Sequence, residues 1–194
     1  MSVSIQVAIR CRPFAFRNEL GVSLYQNSEN EGEVNLLNSR YTQNTRWAFT
    51  YSWWSGYNYQ NYLAKPNSEA DKMELISQEK VYNIIGPKIK KQLLDGSAVV
   101  LFAYGLSGSG KTYTVFGPDA TDQPNAWFKH AKPNQEWGIF PRLAYEIFNM
   151  KKDEWKITMK YFQNVVDIVR DLMSPMADEQ YYKNGMRKDD DGFM

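Results

Sequence analysis

The stretch that decides the fold is Ala98-Val99-Val100-Leu101-Phe102-Ala103-Tyr104-Gly105-Leu106-Ser107-Gly108-Ser109-Gly110-Lys111-Thr112. Its first seven residues are a short, continuous apolar run, the pattern of a strand buried on both faces in a parallel sheet. Its last eight match the spacing Gly-x-x-x-x-Gly-Lys-Ser/Thr, the phosphate loop. Glycines let the backbone take unusual dihedrals and approach a phosphate closely, so that successive N–H groups line one concave nest. A helix beginning at this point adds unpaired N–H groups and partial positive charge. Lys111 is then expected at the β- and γ-phosphates, and the Thr112 hydroxyl at a Mg²⁺ ion.

Outward from this loop the chain reads as an ordinary globular sequence. Its 194 residues suit one domain, and 43% hydrophobic and 15% aromatic residues exclude intrinsic disorder. A formal charge of +1 argues against a bulk nucleic-acid binder. The single cysteine, Cys11, excludes an internal disulfide framework and fits a reducing compartment. No run approaches the ~18 apolar residues of a membrane span, and Met1–Ile9 lacks the features of a signal peptide.

Ser2–Arg10 reads as a strand bounded by Pro13, with further short strands at Val34–Leu37 and Arg46–Trp53 and a polar turn at Asn27–Glu33. Trp54–Ala70 sustains no apolar period and reads as a long loop whose aromatics either pin it to its own domain or dock a partner, the former being preferred. Ser77 is a helix N-cap, followed by the stripe Val81, Ile84, Ile85, Ile89 and Leu93 and a stop at Gly96. Gly86-Pro87 inside that stripe should kink or break it. Phe140–Met150 reads as a helix with Leu143, Ile147 and Phe148 inward, and Trp155–Val165 alternates like a strand. Lys88, Lys90 and Lys91 form a basic patch on the first long helix, a solvated face first and a contact for an acidic partner second. Cys11 reads as packed rather than reactive, and neither His130 nor the Asp189–Asp191 run reads as a metal site.

Several segments together resemble kinesin motor domains. Leu101–Gly105 with Ser109–Thr114 is similar to that family's phosphate loop, and Val7–Pro13 to its first strand with an Arg-x-Arg-Pro element. Gln78–Tyr82, Gly138-Ile139-Phe140-Pro141-Arg142, Tyr161-Phe162 and Arg170–Met173 follow in the family's order. Kinesins often carry a proline inside the first long helix, which removes the anomaly at Pro87. The resemblance implies an α/β P-loop NTPase fold, a mixed and largely parallel sheet flanked by helices, present here as an incomplete domain. Residues 1–173 would be the first half of a motor, with an insertion over about 54–76, and 174–194 a polar tail or the start of the remainder. Arg10, Arg12 and Pro13 would line the adenine side of the pocket and Tyr113 would contact the base, although without the resemblance Arg10 and Arg12 read first as a solvated strand end. Gly105, Leu106, Ser107, Gly108, Ser109, Gly110, Lys111 and Thr112 would hold the phosphates, with Thr112 on Mg²⁺. The implied ligands are ATP or ADP, the implied partner the microtubule, and the implied location the cytoplasmic cytoskeleton.

The chain also departs from the family pattern. Leu106-Ser107 replaces the usual Gln-Thr, Phe49–Trp53 lacks the usual acidic residue, and Gln163–Asp167 replaces an Glu-Ile-Tyr-Asn-Glu element. The serine-rich and Asp-Leu-Ala-Gly switch segments that hydrolysis requires are not found, so no catalytic residue is assigned and the chain alone is expected not to hydrolyse ATP. The alternatives are a structural or adaptor module without ATPase activity and, argued against by the Arg-x-Arg-Pro and Gly-Ile-Phe-Pro-Arg elements, an unrelated P-loop NTPase such as a nucleotide kinase.

Overall fold

The computed structural model describes residues 5–12, 22–28, 31–36, 45–55, 75–118, 132–165 and 168–171. The chain divides into two compact units, Met1–Met150 and Lys151–Met194.

In the first unit, β1 (Ala8–Cys11) pairs in parallel with β5 (Tyr51–Trp54), Arg10 lying opposite Trp53. Every residue of β5 is buried, and its alternation feeds two cores. Tyr51 and Trp53 join Ile76, Val81, Tyr82 and Ile139 on one side, while Trp54 joins Leu24 and Val34 on the other. A three-stranded antiparallel sheet, β2 (Val22–Ser28), β3 (Glu31–Leu36) and β4 (Thr45–Phe49), packs against β5. The expected single strand Arg46–Trp53 is thus two strands. Thr50 bends the chain from β4 into β5, its hydroxyl accepting from the Val7 amide at 3.1 Å and its carbonyl from Gln26 Nε2 at 3.3 Å.

Gly32 on β3 makes the approach of β5 possible. A Cβ there would lie 2.4 Å from the Ser52 nitrogen, a backbone atom that cannot rotate away. Gly32→Val is therefore expected to lower stability by about 1–3 kcal/mol, the range of overpacked cores. Urea denaturation checks this, and a midpoint equal to wild type would refute it.

The helix α1 (Gln78–Leu94) begins as expected, with the Ser77 hydroxyl accepting from the Lys80 amide at 3.1 Å. It ends as expected too, the Gly96 amide donating to the Leu93 carbonyl. Gly86-Pro87 does not break it: the helix is continuous through Pro87 and the Tyr82 ring lies against Gly86. The helix α3 (Ile139–Met150) packs on α1, with Leu143 against the core and Lys90 paired to Glu146 at 2.5 Å. Phe148, expected inward, is exposed: it lies five residues after Leu143, off the face that Ile139 and Leu143 turn to the core.

The largest departure concerns Ala98–Tyr104. It forms no strand and, among the described residues, joins no sheet; Val100, Phe102 and Tyr104 are 80–90% exposed. An apolar run encodes a preference for burial, but burial on both faces needs a hydrogen-bonded strand on each side.

In the second unit, β6 (Phe162–Val165) and β7 (Ile168–Asp171) form an antiparallel hairpin with Phe162 opposite Asp171. The strand expected over Trp155–Val165 is confined to its last four residues. No helix among the described residues is long and apolar enough to cross a membrane.

Candidate functional site

The loop after Tyr104 is folded on itself. Gly108 and Gly110 have φ of 75° and 96°, the left-handed region that side chains with a Cβ resist. The Ser109 amide donates to the Leu106 carbonyl at 3.1 Å. The Lys111 ammonium reaches back across the loop to the carbonyls of Gly105 at 3.0 Å and Leu106 at 2.9 Å. Gly110 caps α2 (Lys111–Val115). This helix is only five residues long, so the macrodipole expected from the sequence is weak, and anion attraction rests on the loop amides, the first-turn N–H groups and Lys111.

β1 brings two arginines to this loop. Arg12 donates to the Gly108 carbonyl. Arg10 donates through Nε to Ser55 Oγ at 2.8 Å, and through one terminal nitrogen to Gln78 Oε1 at 2.6 Å and Thr114 Oγ1 at 3.0 Å. Its guanidinium also lies 5.6 Å from the centre of the Tyr113 ring. Burial pushes the Arg10 pKa down, and the neighbouring Tyr113 and Glu136 oppose this. A solvated strand end does not describe this residue.

Tyr113 donates its hydroxyl proton to Glu136 at 2.5 Å. Glu136 is held in a short segment that Arg142, on α3, gathers beneath itself. The buried Arg142 guanidinium donates to the carbonyls of Trp137 at 2.9 Å, Gln135 at 3.3 Å and Asn134.

These elements enclose one cavity of about 1070 Å³. Of the residues singled out from sequence, Arg10, Arg12, Gly105, Ser109, Gly110, Lys111 and Tyr113 line it. Leu106, Ser107, Gly108 and Thr112 belong to the loop without lining the cavity, and Leu106 and Thr112 are exposed. Pro13, His130, Asp189–Asp191 and most of Trp54–Ala70 lie outside the described residues. Ser55, Gln78, Thr114 and Glu136 were missed. Gln78 left a signal, since it falls on the apolar stripe of α1 three and four residues before Val81 and Tyr82. Nothing local marks the other three.

The donors fit a phosphate chain, being glycine-rich backbone and an ammonium with no carboxylate in the loop. They fit Mg²⁺ more thinly: Thr112 would offer one hydroxyl, leaving phosphate oxygens and water for the other positions.

Cys11 sits beside Arg12 and packs against the cluster of Leu24, Val34 and Trp54. Burial pushes its thiol pKa up, so less thiolate exists at neutral pH than for a free cysteine. Alkylation by iodoacetamide at about pH 7.5 is expected to run slower than for free cysteine, because the thiolate is the attacking form. Mass spectrometry over time checks this, and labelling as fast as free cysteine would refute it.

A glycine-rich loop entering a short helix, a lysine at its mouth and a parallel β-pair alongside define a phosphate-loop α/β protein. Residues 10–193 match the family model "Kinesin motor domain". The chain is 27% identical to rat kinesin-like protein KIF1A over 180 residues and 29% identical to kinesin-like protein unc-104 of Caenorhabditis elegans over 180. Each alignment covers 89% of this chain and 9% or 10% of the relative. The solved structure of KIF14 residues 391–755 with ADP in complex with a microtubule aligns over 96% of this chain and 45% of its own, with a TM-score of 0.57 at 23% identity. The chain belongs to the kinesin motor domain family, and its fold is that of the family's P-loop NTPase. It spans about a tenth of these curated relatives and under half of the solved motor.

Proposed function

We propose that this chain is the nucleotide-binding part of a microtubule motor. It takes ATP or ADP with Mg²⁺, and in a complete motor ATP hydrolysis drives movement along microtubules in the cytoplasm. The observation that supports this reading is the convergence of Lys111 and the glycine loop with Arg10, Arg12 and Tyr113 on one cavity. Gly105–Thr112 would hold the phosphates, Lys111 supplying the charge and Thr112 a Mg²⁺ ligand. Arg10, Arg12, Pro13 and Tyr113 would face the base. Residues 1–173 would form the first half of the motor and 174–194 a tail or the start of the remainder. A relative solved with ADP on a microtubule supports the ligand and partner classes.

One observation favours a second reading, a module that holds nucleotide without cleaving it. Among the described residues Glu136 is the only acidic side chain lining the cavity, and it is engaged by Tyr113. Binding of labelled ATP to the chain and to Lys111→Ala tests the nucleotide site. Equal binding by both, or by neither, removes the role given to the loop.

A further inference from the structure

Gln78 is 3% exposed on the apolar stripe of α1, where a leucine would satisfy the pattern. Burying a primary amide there is costly unless its polar atoms are bonded, and they are. Oε1 accepts from Arg10 at 2.6 Å, while Nε2 donates to the Tyr113 carbonyl at 2.5 Å and the Glu136 carbonyl at 3.3 Å. The amide has only one workable orientation. A flip would set its NH₂ against the guanidinium and its oxygen against two carbonyls. One side chain thus ties together β1, α1, α2 and the segment before α3.

The groups it ties share a property. Arg10, Tyr113 and Glu136 all line the cavity, and none belongs to the phosphate loop. That loop has its own supports, in Lys111 on Gly105 and Leu106 and Arg12 on Gly108. We propose that Gln78 is a positioning residue for the base-binding side of the pocket, acting by holding Arg10 beneath the Tyr113 ring and Tyr113 beside Glu136. This rests on the nucleotide reading above. It adds that selectivity for the base, as distinct from affinity for the phosphates, runs through a glutamine that need not touch the ligand.

The test compares ATP with inorganic tripolyphosphate, both competing against a fluorescent ATP analogue, on the full chain. Gln78→Leu should keep tripolyphosphate affinity and lose about tenfold in its preference for ATP, the effect of hydrogen bonds to a charged group. Lys111→Ala should weaken both ligands together. Gln78→Glu provides a readout that a packing role would not move. A protonated glutamic acid copies the glutamine, with one carbonyl for Arg10 and one donor for Tyr113, whereas a carboxylate confronts two carbonyls. Burial and those carbonyls favour the protonated form and Arg10 opposes it. Facing this position are Arg10 from β1, Tyr113 from α2, Glu136 from the segment before α3 and, through Glu136 and Glu79, Arg142 from α3. The ATP preference of Gln78→Glu, relative to wild type at each pH, should therefore recover between about pH 8 and about pH 5.5. Parallel loss of both ligands in Gln78→Leu, unchanged preference, or a Gln78→Glu preference independent of pH would each overturn the proposal. If Gln78→Leu does not fold, the Gln78→Glu profile decides alone. Binding of neither ligand by wild type would instead overturn the nucleotide reading, and this inference with it.

Discussion

Lys111→Ala should lose roughly ten- to a hundredfold in affinity for ATP, the range set by removing charge-assisted hydrogen bonds of about 1.5–3 kcal/mol. In the structure the ammonium spans two loop carbonyls, Gly105 and Leu106, at an exposed position, and packs no core. Deleting it should change stability by no more than about 0.5 kcal/mol, so thermal melts of variant and wild type should superimpose while their binding isotherms separate. That combination makes the result interpretable as loss of a phosphate contact. A variant that binds ATP like wild type would remove the phosphate role from the loop. One that binds weakly but also melts early would move Lys111 into the scaffold.

Arg142→Met should be the most destabilising change around the site. The guanidinium is buried, and burial lowers its pKa while Glu79, Tyr82 and Glu136 favour its charge. Its three donors satisfy the carbonyls of Asn134, Gln135 and Trp137, and methionine can satisfy none. A carbonyl left without a donor costs about 1–3 kcal/mol when buried; that of Asn134 keeps the Trp137 amide at 3.3 Å, and Gln135 is exposed to water. Partial rehydration of that segment reduces the sum, so a loss of about 3 kcal/mol is expected, lowering Tm by roughly 6–12 °C for a chain of this size. Arg142→Lys should recover little, because an ammonium cannot span the same fork. Amide exchange should rise over residues 134–138, which carry Glu136 to Tyr113. A loss below about 1 kcal/mol would show that the segment holds its shape without the arginine.

What the sequence revealed and what it hid follow from the range of the interactions. The phosphate loop, α1 and α3 were legible because loops, caps and helical stripes are local: Gly110, Ser77 and Gly96 do their work within a few residues. The strand β2 was hidden because it owes its existence to pairing with β3, where Leu24 lies opposite Val34. The division of Arg46–Trp53 was hidden because two different partners, β3 and β1, claim its halves. Ala98–Tyr104 was read as buried from its composition, which carries no information on whether strands flank it. At the site the arginines were legible only through family resemblance. The side chains that hold them, Ser55, Gln78 and Thr114, are 45, 68 and 104 residues distant from Arg10.

One more consequence concerns where the chain leaves and re-enters the sheet after β5. Trp54 and Leu75 form a parallel bridge, the Ile76 amide donates to the Trp54 carbonyl at 2.7 Å, and Ser55 Oγ donates to the Ile76 carbonyl at 2.8 Å while receiving Arg10. The two ends are stitched together by bonds that do not involve whatever lies between them. Lengthening a closed loop costs only about 0.6 kcal/mol per doubling. The junction therefore offers a splice point, where a reporter can be seated between two ends that hold each other. Such a reporter would sit one residue from Ser55, and so within a single side chain of the arginine that faces the pocket.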